Sequence, residues 1–125
     1  MKITLIGSTR FERDFRNWDL NLTLSGHTAY NLAIYPSEMG SKDWYNDEQK
    51  LMLDAVHKAK IANSEAVVVI NPGGYIGDST KSELLFAAAM GKSIFVVENI
   101  AGLYAGKAEN LIVNGWGEIG NEWEG

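Results

Sequence analysis

Residues 65–78 read EAVVVINPGGYIGD, an apolar run followed by a turn rich in glycine. The unbroken apolar character of Ala66 to Ile70 is typical of a strand buried on both faces, as in a parallel sheet. A helical pattern over about residues 79–90 follows the turn and ends at Gly91. A buried strand, a turn and a helix are the unit from which α/β domains with parallel sheets are built.

The same alternation extends in both directions from this stretch. It predicts strands at 2–6, 28–35, 65–70 and 93–98, with helices at 11–24, 47–62 and 79–90. Segment 37–46 is predicted to be a loop that covers a site, and a weak strand is predicted at 110–113. We therefore expect one domain over residues 1–125, a Rossmann-like (flavodoxin-like) three-layer sandwich with a mainly parallel sheet of four to five strands.

Apolar spacing predicts which helix faces point inward. On the first helix the apolar residues recur at intervals of three and four, at Phe11, Phe15, Trp18 and Leu22. On the second helix the inner face is assigned to Met52, Val56 and Ala59. Gly26 and Gly91 are interpreted as helix stops.

Composition excludes several classes of function. The chain has 125 residues, no cysteine, and 11 Lys and Arg against 16 Asp and Glu, a net charge of −5. It therefore has no thiol nucleophile, thiolate zinc site or disulfide framework, and its charge disfavours binding to DNA or RNA. No apolar run approaches the roughly 20 residues that span a bilayer, and residues 1–7 are interpreted as a core strand. We expect a cytoplasmic protein with no metal ion, no cofactor and no membrane or nucleic-acid partner.

Two strand-to-helix turns carry the candidate site. In an open parallel sheet the ligand lies beyond the carboxyl ends of the strands, where Gly7-Ser8-Thr9-Arg10 and residues 72–80 fall. A helix N-terminus favours an anion, Ser8 and Thr9 offer hydroxyl groups, and Arg10 offers a fixed positive charge. These features predict a cradle for a phosphate or a sugar. The alternative is that Ser8 or Thr9 is only a helix cap and Arg10 only a surface charge.

The second turn adds glycines and carboxylates. Gly73, Gly74 and Gly77 would let the backbone approach a ligand closely. Glu83 follows on the third helix, where the positive helix end would keep it ionised and usable as a nucleophile. Asp78 would hold sugar hydroxyls or position an acid, and a pair of carboxylates is what retaining glycoside cleavage requires. The alternative for Glu83 is a favourable charge early in a helix.

Five stretches carry a family resemblance: Ile6 to Phe11, Leu53-Asp54 through His57, Lys60-Ile61, Asn71 to Glu83, and Gly91-Lys92. With them the chain resembles, from Ile3 to Val97, the nucleoside 2-deoxyribosyltransferase superfamily, in particular its short phage and bacterial branch. This superfamily includes the 2'-deoxynucleoside 5'-phosphate N-hydrolases, whose first turn also reads Gly-Ser-x-Arg. The glycine-rich turn is also similar, with inserted residues, to the PGGxGTxxE signature of phosphoribohydrolases.

The resemblance implies roles for the residues at both turns. Glu83 would attack the anomeric carbon and form a glycosyl-enzyme intermediate. Contacts with the 5'-hydroxyl or 5'-phosphate would come from Gly7, Ser8 and Arg10, and contacts with the deoxyribose or its phosphate from Asp78, Ser79 and Thr80. The related enzymes complete their sites with residues of a neighbouring subunit, so a homodimer or larger assembly is implied. Trp116, Ile119 and Trp123 would serve such an interface or pack onto their own domain.

Some residues depart from the family pattern or stay open. His57 stands where characterised members have an Asp that contacts the base, so it either donates a proton there or has a structural role. Lys60 either pairs with a phosphate or faces solvent. Three aromatic residues are candidates for stacking on the base or touching the sugar, namely Tyr75, Trp44 and Tyr45.

These observations favour an enzyme that cleaves or transfers the N-glycosidic bond of 2'-deoxynucleosides or their 5'-monophosphates. Water would resolve the intermediate in a hydrolase, and a second base would resolve it in a transferase. The Ser- and Thr-rich turns with Arg10 favour hydrolysis of a 5'-phosphorylated substrate. The competing hypothesis is a non-catalytic module that binds or senses a nucleotide on the same fold.

Overall fold

The computed structural model describes residues 1–33, 35 and 44–119. In these residues five parallel strands form one sheet in the order β2-β1-β3-β4-β5. The strands are β1 (Lys2–Gly7), β2 (Thr28–Tyr30), β3 (Ala66–Ile70), β4 (Ser93–Val96) and β5 (Gly106–Lys107). The helices of this part of the chain are α1 (Glu12–Leu24), α2 (Asp47–Ala62) and α3 (Asp78–Ala89), with short 3-10 turns at Thr9–Phe11, Pro72–Gly74 and Ala108–Leu111. The predicted flavodoxin-like α/β architecture is confirmed.

The core has two layers, one on each face of the sheet. One layer packs Ile3, Leu5 and alternate residues of β3 against Phe15, Trp18 and Leu22 of α1. The other packs Ile6, Val67 and Val69 against α2 and α3, through Ile61 and Ala87. Because β3 lies between two neighbouring strands and two helical layers, all five of its residues are buried. None of the helices in the described ranges is long and apolar enough to cross a membrane.

The second strand ends earlier than the sequence predicts, at Tyr30 rather than at residue 35. The side chain of Asn31 replaces the sheet at this point, since its Oδ1 accepts the backbone N–H of Leu32 at 2.7 Å and the hydroxyl of Tyr35 at 2.6 Å. Its Nδ2 donates to Asp19 of α1 at 3.0 Å. Burial raises the pKa of Tyr35, which keeps that hydroxyl protonated as a donor. This local polar network therefore ends the pairing between β1 and β2 at Tyr30.

The predicted inner face of the second helix is wrong. Met52 and Val56 are 64% and 47% exposed, and Ala59 is also exposed, whereas His57 and Ile61 are the buried residues of α2. Apolar residues recur at helical spacing on two faces of this helix, so periodicity alone does not say which face meets the sheet. The consequence is an exposed apolar face on α2 and a buried histidine beneath it.

The last part of the described chain also differs from expectation. Residues 110–113 do not form a strand, because a 3-10 turn occupies Ala108–Leu111, while the fifth strand is the two-residue β5. Beyond it the chain returns along α1. Trp116 packs edge-on against Trp18 with ring centres 5.1 Å apart, and the Ile119 N–H donates to Asn17. These two tail residues thus pack onto their own domain, and Trp123 lies outside the described residues.

Candidate functional site

A cavity of about 530 Å³ opens beyond the carboxyl ends of β1 and β3, where the strand order reverses. Both predicted turns contribute to it, and so does α2, through buried His57 and through exposed residues such as Met52 and Val56. Most of the predicted site residues line it: Gly7, Ser8, Thr9, Arg10, His57, Tyr75, Gly77, Asp78, Ser79, Thr80 and Glu83. The fold therefore gathers residues more than 70 positions apart in the chain around one cavity of a size suited to a small molecule.

Glu83 lies in the wall of this cavity, in the second turn of α3. Its side chain is 17% exposed, and its Oε2 is buried and accepts no hydrogen bond. Nε2 of His57 lies 3.1 Å from this oxygen. A buried carboxylate oxygen without a hydrogen bond costs free energy and is uncommon in folded proteins.

His57 has a second contact from the same nitrogen. Its Nε2 lies 3.0 Å from the backbone oxygen of Leu5 in β1, and the residue is 8% exposed. A backbone carbonyl only accepts hydrogen bonds, so Nε2 carries a hydrogen in this arrangement. The histidine that sequence analysis singled out thus joins the central strand to Glu83.

Arg10 stands at the first turn beside Tyr75 of the second turn. Its guanidinium lies 4.1 Å from the centre of the Tyr75 ring and donates to the Tyr75 hydroxyl at 3.3 Å. Phe11 meets the same ring edge-on at 6.0 Å. Among the residues that the structure describes, no carboxylate forms a salt bridge with Arg10. The cavity mouth therefore has a fixed cation that is oriented by an aromatic ring and not neutralised.

The first turn also has a structural task. The Ser8 hydroxyl accepts the Arg10 N–H at 3.3 Å, which makes Ser8 the cap of the 3-10 turn Thr9–Phe11. Gly7 has φ of +154°, and a Cβ there would lie 2.5 Å from the Ile70 oxygen. The capping alternative for Ser8 is therefore present in the structure, and Ser8 lines the cavity as well.

The second turn divides into two parts. Gly73 and Gly74 have left-handed φ of +68° and +81°, which glycine adopts without steric cost, but they are absent from the lining of the cavity. Gly77 caps α3, and exposed Asp78 and Ser79 and buried Thr80 form its first turn at the cavity. The positive end of α3 thus faces the cavity, while the paired glycines shape the turn that carries Tyr75.

Several lining residues were not predicted as site residues. Lys50 and Asp54 of α2 form an exposed pair at 3.2 Å on the rim, and Leu32 and Ala33 follow the early end of β2. Lys60, for which the sequence left a phosphate partner or a solvent position open, is partly buried, lines the cavity and donates to the backbone oxygen of Asn31 at 2.8 Å. Since the positions of Leu32 and Ala33 depend on where β2 ends, sequence pattern alone offers no signal for these two residues.

Trp44 and Tyr45 also line the cavity, as an aromatic pair with ring centres 5.2 Å apart. They directly precede the cap of α2, where Asn46 and Gln49 exchange hydrogen bonds between side chain and backbone. This capping box fixes the start of the helix and so the place of the two rings. The rest of the predicted covering loop, residues 37–43, lies outside the described residues.

The fold and site can be compared with known proteins. No protein-family model matches the chain, and no curated protein matches its sequence. A 2-deoxyribosyltransferase from the psychrotolerant bacterium Bacillus psychrosaccharolyticus is similar in structure, with a TM-score of 0.60 and 18% identity over 80% of this chain and 77% of that chain. The CMP N-glycosidase of Clostridium botulinum is similar with a TM-score of 0.53 and 18% identity, over 77% of this chain and 70% of that chain. The chain therefore shares its fold with these two enzymes.

Proposed function

We propose that this protein cleaves the N-glycosidic bond of 2'-deoxynucleosides or their 5'-monophosphates, with Glu83 as the nucleophile. The observation that carries the proposal is the buried Oε2 of Glu83, which accepts no hydrogen bond in the wall of a cavity of nucleotide size. The two similar structures are a 2-deoxyribosyltransferase and a CMP N-glycosidase, which supports the same bond as the target.

In the proposed first step a Glu83 oxygen forms a bond to C1' of the sugar. The C1'–N bond breaks, its electron pair leaves with the base, and the base nitrogen takes up a proton. The developing positive charge on the sugar ring lies next to the Glu83 carboxylate, which stabilises it before the covalent bond is complete. The two candidate donors of this proton are water that enters the cavity and the ring of His57.

In the second step water attacks C1' and the C1'–O bond to Glu83 breaks. The electron pair returns to the carboxylate, and the attacking water loses a proton. The products are the free base and the deoxyribose or its 5-phosphate. If a second base attacks in place of water, the same intermediate gives a new nucleoside, so the choice between hydrolase and transferase depends on which acceptor occupies the cavity.

Arg10 supports a phosphate at the 5' position. The guanidinium of Arg10, which forms no salt bridge with a described residue, and the N-terminus of α3 both present positive character to the cavity. A phosphate there would complete the charge balance that the described residues leave open around Arg10. We therefore assign the monophosphates as the preferred substrates.

Free base released from each common 2'-deoxynucleoside and its 5'-monophosphate, measured by chromatography, tests this function. We expect release with a kcat/KM higher for the monophosphates by about 10-fold or more, the worth of one charge-assisted hydrogen bond. Arg10→Gln should remove this preference, and Lys107→Gln, the same charge change on β5, should retain it. Adding a second free base distinguishes transfer from hydrolysis, because only transfer yields the exchanged nucleoside.

One outcome of this assay favours the competing function. Thermal stabilisation by a nucleotide without any base release would identify a binding or sensing module. Release from nucleosides and monophosphates at equal rates would contradict the assignment of the phosphate to Arg10. Release that Arg10→Gln leaves unchanged would contradict it as well.

A homodimer through the exposed face of α2 is part of the proposal. The face comprises Leu51, Met52, Ala55, Val56 and Ala59, all exposed. A second copy is the partner that fits, because the face presents small alanines between larger apolar residues, which suits the close crossing of identical helices. Met52 and Val56 also line the cavity, so a second copy would close its open side.

Sedimentation velocity tests the dimer. Ala55→Glu places a charge at the centre of this face, at a residue outside the cavity lining, and we expect it to convert a dimer into a monomer. Asn110→Glu adds the same charge at an exposed turn on another part of the surface and should leave the dimer intact. A monomeric wild-type protein at micromolar concentration would contradict the proposal.

A further inference from the structure

The structure assigns a hydrogen to Nε2 of His57, because the acceptor at 3.0 Å is a backbone carbonyl. This carbonyl is free to accept from His57 because β2 does not supply a backbone donor to it. The Met1 carbonyl accepts the Thr28 N–H, and carbonyls alternate between the two edges of a strand, so Leu5 also faces β2. The next donor in this register would be Leu32, whose N–H binds the side chain of Asn31 instead.

His57 therefore donates to the Leu5 carbonyl the hydrogen bond that Leu32 does not supply. Without it the Leu5 carbonyl would be buried in the core with no partner, so the backbone, and not the substrate, fixes the hydrogen on Nε2. The same nitrogen lies 3.1 Å from Oε2 of Glu83. One N–H group thus donates to the strand β1 and also lies next to the proposed nucleophile.

The arrangement constrains the carboxylate of Glu83. Oε2 is the buried oxygen, and the positive end of the His57 N–H dipole is the polar group next to it. Holding Oε2 against His57 leaves the other oxygen, Oε1, for attack. A nucleophile gains rate when its reacting atom is fixed at the right place before substrate binds.

We infer that His57 is a positioning residue for Glu83, held by Leu5, and not the acid that protonates the departing base. The inference rests on the proposed function, and it names which of the two proton sources operates. Because the Nε2 hydrogen is donated to the Leu5 carbonyl, it is not available to a base in the cavity. Water then supplies the proton, and His57 sets the direction from which Glu83 attacks.

Three substitutions at His57 separate positioning from proton donation. The amide nitrogen of Gln reaches the place of Nε2 and donates a hydrogen bond, but it has no proton to transfer. We expect His57→Gln to retain kcat within about 10-fold of wild type, while His57→Asn, whose shorter amide does not reach, and His57→Ala lose about 10²-fold in kcat at unchanged KM. Circular dichroism and melting curves confirm that each variant is folded at the assay temperature.

Either of two kinetic results would overturn the inference. If folded His57→Gln is as slow as His57→Ala, the residue acts by giving up a proton. If His57→Ala is as fast as wild type, the residue has no part in the reaction. A purely structural role for the contact with Leu5 would change the melting temperature of the three variants. It would not restore kcat in His57→Gln alone, so that restoration is the decisive result.

A spectroscopic test stands independently of any turnover. In protein labelled with 15N at histidine, we expect the His57 signal of the tautomer with hydrogen on Nε2, and we expect that proton resonance to move in Glu83→Gln. Glu109→Gln, an exposed carboxylate on the 3-10 turn Ala108–Leu111, serves as the matched control and should leave it unmoved. Hydrogen on Nδ1, or no change in Glu83→Gln, would overturn the inference. Should the wild-type protein release no base, this measurement still decides the role of His57 while the proposed function fails.

Discussion

Glu83→Gln should lower base release from 2'-deoxynucleoside 5'-monophosphates by about 10⁴-fold or more, since removal of an enzyme nucleophile has effects of this order. Gln has the size of Glu but no negative charge, so it neither attacks C1' nor stabilises the charge on the sugar ring. Chromatography of the free base under saturating substrate measures the loss. Mass spectrometry of acid-quenched wild-type protein should detect the deoxyribosyl adduct, which the variant lacks. Turnover within 10-fold of wild type would remove Glu83 from the mechanism.

The stability of the same variant carries separate information. A structural carboxylate loses stabilising contacts when it is neutralised, and the melting temperature falls. Glu83 has a buried oxygen that accepts no hydrogen bond, so its charge costs free energy in the folded state. We therefore expect Glu83→Gln to melt at the temperature of wild type or above it. Loss of activity together with a gain in stability is the signature of a residue kept for function.

The part of the fold that depends on local pattern follows from the sequence. The run Ala66 to Ile70 is a buried strand, and the spacing of Phe15, Trp18 and Leu22 places the inner face of α1 correctly. Since parallel strands direct their carboxyl ends to one edge, the two turns with Arg10 and Glu83 meet there as expected.

The rest depends on contacts between residues far apart in the chain. Strand β2 ends at Tyr30 because the Asn31 side chain takes the next N–H, and no propensity of residues 28–35 signals this. The buried face of α2 is set by His57, whose partner Leu5 lies 52 positions away. A histidine that completes a backbone ladder looks, in sequence, like any other helical histidine. The same limit applies to Gly73 and Gly74, whose positive φ was predicted but whose distance from the cavity depends on the course of the turn.

Substitution of Gly7, at the end of β1, should have a large effect on the stability of the fold. A Cβ at Gly7 would lie 2.5 Å from the Ile70 backbone oxygen and 3.2 Å from Cζ of Phe15, and φ is +154°. Neither the β3 backbone nor the ring of α1 can yield without opening the sheet where the cavity begins. We expect Gly7→Ala to lower the free energy of unfolding by about 3 kcal/mol or more, as overpacking and backbone strain combine. Urea denaturation measures the difference.

Two other glycines separate the causes of this loss. Gly73→Ala meets open space but keeps a φ of +68°, so backbone strain alone should cost about 1 kcal/mol. Gly115→Ala meets open space without a positive φ and should change stability by less than about 0.5 kcal/mol. A Gly7→Ala variant no worse than Gly73→Ala would mean that β1 and β3 separate easily. In that case the end of β1 would not be held rigidly at the cavity, and it would not fix the position of Arg10 for binding a phosphate.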